Sequence, residues 1–193
     1  MYKTKTEDKS MIIKTLNKFS KIMASFIIFG VVSGTSANAD VTAFGFTINK
    51  SSEKDLKSLK CKFSKEKSTD KKIVTYSTNG SCYKIHGLKK VFVTFVDKRV
   101  KFIDGIFNKD EFETIKNSLQ NKYGEASDSD VPFVGDTFVE WQPEGENTLI
   151  RLDAPHLSFE MQLIYIDMDY LKVINKKLDN DNNRNSKQRE SVL

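Results

Sequence analysis

Few side chains able to do chemistry occur in this chain of 193 residues, and they stand far apart. Cys61 and Cys82 are the only thiols; His86 and His156 are the only imidazoles. Cys82 and His86 are four residues apart, which on a strand separates their Cα atoms by about 13 Å, too far to share one zinc ion. The chain has no G-x-S-x-G elbow and no Gly-rich phosphate loop. Pairing Cys82 with His86 or His156 as a nucleophile requires a free thiol. An even pair of Cys in an exported chain reads instead as a disulfide. It would close a loop of 22 residues and stabilise the fold by roughly 3 kcal/mol on the chain-entropy account. The sequence therefore nominates no catalytic residue, no cofactor and no metal ligand, and reads as a non-enzyme.

One spacing imitates a metal site. Asp179, Asp181, Asn183 and Glu190 fall at positions 1, 3, 5 and 12 of an EF-hand loop. Position 6, where the sharp turn needs Gly, is Arg184, and position 8 is the polar Ser186. An Asn- and Asp-rich segment produces such spacings by chance, so calcium is not expected.

The elements that must position these residues begin after a leader. Lys14, Lys18 and Lys21 precede the apolar run Ile22–Val32, and Ser36-Ala37-Asn38-Ala39 closes it. This is the order of a signal peptide, with cleavage expected between Ala39 and Asp40. The apolar run is short of the ~20 residues of a spanning helix, so no transmembrane segment is expected after cleavage. Residues 1–39 carry six Lys and two acids, so the formal net charge falls from +5 to +1 on their removal. The expected localisation is periplasmic or secreted.

The remaining charge is uneven. Lys50–Lys101 holds fifteen Lys or Arg and five acids, whereas Phe102–Asp169 holds four and fifteen. Two readings follow: surfaces that attract each other within the fold, or a basic face offered to an anionic partner. On the second reading Lys65, Lys67, Lys71 and Lys72 are the partner-binding residues. The Lys-rich stretch with Phe63 and Tyr76 has the composition of a phosphate-backbone binder. Export and the acidic half oppose nucleic acid, so a protein or an anionic envelope component is the expected partner.

The strongest local signal is a helix over Asp110–Tyr123. Phe112, Ile115, Leu119 and Tyr123 share one face. Asn108 and Glu111 have capping-box spacing, and Gly124 stops the helix. Two strands precede it, Val91–Val96 and Val100–Phe107, joined by a turn at Asp97-Lys98-Arg99. Earlier, Phe44, Phe46 and Ile48 alternate as a strand, and Ser52 with Asp55 caps a short helix. Leu59, Cys61 and Phe63 then alternate, and Ser64–Lys72 reads as a loop. Ile73–Thr78 and Ser81–His86 form an expected hairpin around Asn79-Gly80. After an acidic loop, strands are expected at Thr137–Gln142, Thr148–Asp153 and Ser158–Ile166. A closing helix over Met168–Leu178 precedes a polar tail, 179–193, expected to be disordered. The fold class is α+β, an antiparallel sheet with helices on one face, in two helix-plus-strands halves. Residues 40–178 form its single domain.

Leu119-x-x-Lys122-Tyr123-Gly124 followed by a polar loop and a strand with Trp141 resembles a pattern of small exported bacterial proteins. So does the opening strand with Gly45 and its Ser-capped helix. The chain is similar here to the helix-plus-hairpin domains of β-lactamase-inhibitor proteins and of small outer-membrane assembly lipoproteins. The lipobox of the latter is missing. The resemblance implies that the fold binds other proteins and transfers no functional residue. The expected function is that of an exported protein that binds another macromolecule, as an inhibitor, an immunity-type factor or an envelope accessory. The alternative is a small-ligand binder or enzyme with a pocket near Trp141, close to Glu140, Glu144 and Glu146.

Overall fold

A computed structural model describes residues 40–68, 70 and 72–190, with side chains described as far as Asn180. The expected leader, Lys71 and the last three residues lie outside these. Of the described residues, 40–168 belong to one compact unit, and the chain from Asp169 onward to a second.

The first unit is built on one eight-stranded antiparallel sheet. Its strands are β3 (Ser64–Lys65), β4 (Ile73–Asn79), β5 (Leu88–Val96), β6 (Arg99–Asn108), β7 (Asp128–Asp130), β8 (Thr137–Trp141), β9 (Thr148–Ala154) and β10 (Glu160–Asp167). The spatial order is β3-β4-β5-β6-β10-β9-β8-β7. Two short strands, β1 (Thr42–Ala43) and β2 (Phe46–Thr47), form a separate hairpin. A 3-10 helix over Glu53–Ser58 precedes the first four sheet strands, and helix α1 (Phe112–Tyr123) precedes the other four. The two halves thus follow one plan and meet where β6 pairs β10, with Gly105 opposite Leu163.

Alternation decides the two faces. Val91, Val93, Phe95, Ile103, Phe107, Val139, Trp141, Ile150, Leu152, Met161, Leu163 and Tyr165 point to one face and join a single apolar core. Phe46, Val41, Ile48 and the α1 residue Leu119 complete it. Hairpin β1–β2 reaches the sheet through an unusual turn. Phe44 (φ 51°) and Gly45 (φ 82°) both adopt left-handed backbone, the geometry of a type I′ turn that favours Asn-Gly. Phe44 accepts it because its ring lies over Gly105. A Cβ on Gly105 would come within 2.7 Å of Phe44 Cζ. Asp167 ties the layers: it accepts from Asn49 Nδ2 (2.8 Å) and Asn147 Nδ2 (3.2 Å) and pairs with Lys101 Nζ (3.2 Å). The edge strands β3 and β7 are short and carry Lys65, Asp128 and Asp130, which discourage edge-to-edge pairing.

Several local expectations change. Ser81–His86 is not a strand; Gly80–Tyr83 is a 3-10 turn, capped by the Asn79 side chain accepting from Ser81 N at 2.9 Å. Strand β4 pairs with β5 instead. The Asn108–Glu111 capping box is not made, because the Glu111 carboxylate bonds His86 Nδ1 at 2.6 Å. Lys109–Glu111 is a 3-10 turn, and α1 starts at Phe112. The Ser52–Asp55 capping box is present. Residues 41–49 form a hairpin rather than one strand, and β3 and β7 lie within segments read as loops.

In the second unit, helix α2 covers Met168–Glu190. The polar segment read as disordered from Asp179 is therefore helical to Glu190. It contains neither Pro nor Gly to stop a helix. The EF-hand spacing falls on this helix and not on a loop. The first unit also closes at Met168, before the boundary read at Leu178.

Candidate binding surfaces

Chain reversals at one end of the sheet set up the most distinctive surface. Thr137 lies opposite Ala154, Asp130 opposite Phe138, and Glu160 opposite Asn108. The β7–β8 and β9–β10 connections therefore emerge at the same end. Both carry large apolar residues that alternation cannot turn inward, because neither segment is a strand there. Phe133 is fully exposed, Leu157 94% and Phe159 93%. Val131, Val134 and Ile85 stand at the same end, also exposed. Among the described residues of the first unit, these six are the large apolar side chains left exposed.

The backbone beneath these side chains is held firmly. His156 N donates to Asp136 Oδ1 at 2.8 Å, joining the two connections. Lys109 N donates to Phe159 O at 2.9 Å, and Lys109 Nζ to Pro155 O at 2.7 Å. Glu160 N bonds Ser158 Oγ at 2.9 Å. Acids flank the Phe133 tip: Asp128 and Asp130 lie on β7 and Asp136 just before β8, with no Lys or Arg between them, whereas Glu125 stands beside Gln120 of α1. Lys89 is paired with Glu160 at 2.8 Å.

The basic surface occupies the other side. Lys65 is on edge strand β3, and Lys67 and Lys72 follow it; all three are exposed and none forms an ion pair among the described residues. Ile73 pairs Val96 beside the Asp97-Lys98 turn, so Lys72 lies at the end of the sheet opposite the apolar tips. A recess of about 330 Å³ lined by Lys62, Lys89 and Lys90 with Ser64, Ser77 and Asn79 adds a second basic feature that the sequence did not single out. Where the halves meet, Lys89–Glu160 and Lys101–Asp167 pair a base of one with an acid of the other.

A third feature is an open cleft of about 460 Å³ between hairpin β1–β2, α1 and the sheet. Phe44, Phe107, Ile115, Leu119 and Tyr165 line it, and the His86–Glu111 pair stands beside it. Burial pushes the Tyr165 hydroxyl above the usual phenol range, and the neighbouring Tyr123 adds to this. The Tyr165 phenol therefore stays protonated. Trp141 is no part of this cleft. It is buried in the core, with Nε1 donating to Gly124 O at 3.2 Å.

The second face of the sheet holds a buried ionic cluster. Arg151 pairs with Glu140, its direct neighbour on β8, and with Asp153 at 3.4 Å. Its guanidinium also covers the Phe138 ring at 4.1 Å. Asp104 accepts from Gln162 Nε2 at 3.2 Å. Burial raises the Asp104 carboxyl to about 7; the Gln162 bond opposes this and the charge of Asp153 adds to it. Burial also raises Glu140, against the pull of Arg151. No nucleophile joins this cluster, and its geometry is that of cross-strand pairing.

Cys61 and Cys82 are bonded, with Cα atoms 5.5 Å apart. His86 and His156 stand on different connections, neither beside the disulfide as a metal pair. Among the described residues no group of three or more His, Cys, Asp or Glu is placed to hold a metal ion, and no helix is long and apolar enough to cross a membrane. The chain matches no family model, no curated protein and no solved structure.

Proposed function

We propose that this is an exported, non-enzymatic protein that works by binding another macromolecule, and that its contact surface is the apolar end of the sheet. The observation that carries this reading is the gathering of Phe133, Leu157 and Phe159 on two tied connections, almost wholly in water. Exposed apolar groups scattered singly over a surface need no explanation; several large ones gathered at one end of a sheet mark an interaction site. Export is supported by the leader pattern and by the bonded Cys61–Cys82 pair. None of the exposed large apolar side chains belongs to the segment that carries Lys65, Lys67 and Lys72, so these lysines steer approach.

The test uses the exported protein in a gentle extract, followed by size-exclusion chromatography. Wild type elutes above its own mass. Phe133→Ser/Leu157→Ser/Phe159→Ser elutes as the free chain, and Lys65→Glu/Lys67→Glu/Lys72→Glu elutes like wild type. A triple-serine variant that still elutes with the assembly contradicts the proposal.

A second reading, binding of a small apolar ligand, draws on the α1 cleft. Its support is the apolar wall of Phe44, Phe107 and Leu119 beside the protonated Tyr165 phenol. Retention of a fluorescent fatty acid by wild type but not by Leu119→Arg would favour it.

A further inference from the structure

The chemistry around the apolar end narrows its partner, and the narrowing rests on the reading just given. We infer that the partner is a protein with an apolar recess bordered by Lys or Arg, and that this end enters the recess as a knob. Three observations converge.

The first is shape. Phe133, Leu157 and Phe159 each expose more than nine-tenths of their surface, so they project as separate prongs and line no groove of their own. The complementary surface is concave.

The second is area. Aromatic side chains bury roughly 150–250 Å² each, so Phe133 and Phe159 alone offer on the order of 400 Å². That equals the largest apolar patch of an ordinary monomer, roughly 300–600 Å². It supplies about half of the roughly 800 Å² that each side of a stable interface contributes.

The third is charge. The segment that carries Phe133 is flanked by Asp128 and Asp130 on β7 and by Asp136 before β8, with no base among them. Of the bases at this end, Lys89 is paired with Glu160, and Lys109, which donates to Pro155 O and keeps its charge, is outnumbered by Asp128, Asp130 and Asp136. An acidic rim around an apolar centre is complementary to a basic rim around an apolar recess. It repels an anionic lipid surface, whose potential is negative.

The experiment selects random peptides displayed on phage against the oxidised protein. The account predicts enriched peptides that combine large apolar residues with Lys or Arg. Their affinity falls by about tenfold or more in Phe133→Ser/Leu157→Ser/Phe159→Ser, the loss expected for anchor residues. In Asp128→Asn/Asp130→Asn it falls by about threefold, and the remaining affinity is less sensitive to salt. Unchanged melting temperatures confirm that both variants are folded. Vesicles of phosphatidylcholine, alone or mixed with phosphatidylglycerol, do not bind. Enrichment of acidic peptides, peptides indifferent to the triple-serine variant, a selection without binders, or vesicles captured through the same three residues each overturn the inference. Such a result leaves the broader reading standing if the triple-serine variant still releases the exported protein from its assembly. If that variant releases nothing, the broader reading fails as well.

Discussion

The backbone amide of His156 lies 2.8 Å from Asp136 Oδ1, and this bond joins the connection bearing Phe133 to the one bearing Leu157. Two loops that carry apolar tips are thereby held at fixed separation. Asp136→Ala removes the acceptor and leaves the amide to water. Urea titration should show a loss of about 1 kcal/mol, the net worth of one such bond. Exchange of the His156 amide hydrogen should accelerate, while the β9–β10 ladder keeps its protection.

The disulfide is a second point of leverage. Cys61→Ala/Cys82→Ala should lower the unfolding free energy by roughly 2–4 kcal/mol. Denaturant titration of oxidised wild type and of the variant measures it directly. Equal midpoints would mean that the 61–82 segment is already ordered without the bond.

Phe44 and Gly105 form a coupled pair. A Cβ at position 105 would meet Phe44 Cζ at 2.7 Å and Phe107 Cε2 at 3.0 Å. Gly105→Ala should cost about 1–3 kcal/mol by overpacking. In Phe44→Ala the same substitution should cost much less, so the double-mutant cycle should be non-additive. Additive losses would show that the ring does not press on the glycine.

Asp104 gives a pH signature. Its folded carboxyl titrates near 7, against an ordinary value of 3.8. Between these values the folded state holds the extra proton, so stability contributed by this group is present at low pH and falls as pH rises through the window. Asp104→Asn keeps an acceptor for Gln162 and cannot ionise. The difference in urea midpoint between variant and wild type should grow from pH 4 to pH 7. A constant difference would show that Asp104 does not titrate there.

Arg151 is the only base on strands β8 to β10, and it answers both Glu140 and Asp153. Arg151→Met should destabilise by about 3–5 kcal/mol, because it leaves buried carboxylates without their cation. Adding Glu140→Gln should recover part of the loss.

What the sequence discloses follows the range of the forces involved. Helix α1 was legible because Phe112, Ile115, Leu119 and Tyr123 announce a face and Gly124 a stop, all within one segment. Strands β5, β6 and β8 to β10 were legible as apolar runs bounded by turn residues, again signals held within one segment. The cap at Asn108 was not, because Glu111 is claimed by His86, a partner distant in sequence. The alternation of Phe44, Phe46 and Ile48 concealed a turn, since only the close fit of Phe44 on Gly105 shows why a Phe occupies a left-handed position. Residues 81–86 carry strand-like composition, yet the Asn79 cap and the Cys82 crosslink bend them into a 3-10 turn. The Lys cluster was visible by composition alone. The apolar end was missed because Phe159 was read as the start of a strand, and Phe133 sat unremarked in an acidic loop. A large apolar residue between Pro132 and Gly135, or just after Pro155, was the available signal. Only the sheet order reveals that the two places adjoin.

The most direct test of the apolar end as contact surface is photo-crosslinking in living cells. A photoreactive amino acid is placed in turn at positions 133, 157 and 67 of the exported protein. The account predicts a discrete cross-linked product from 133 and from 157, and none from 67. Cross-links from 67 alone would move the contact to the basic edge and contradict it.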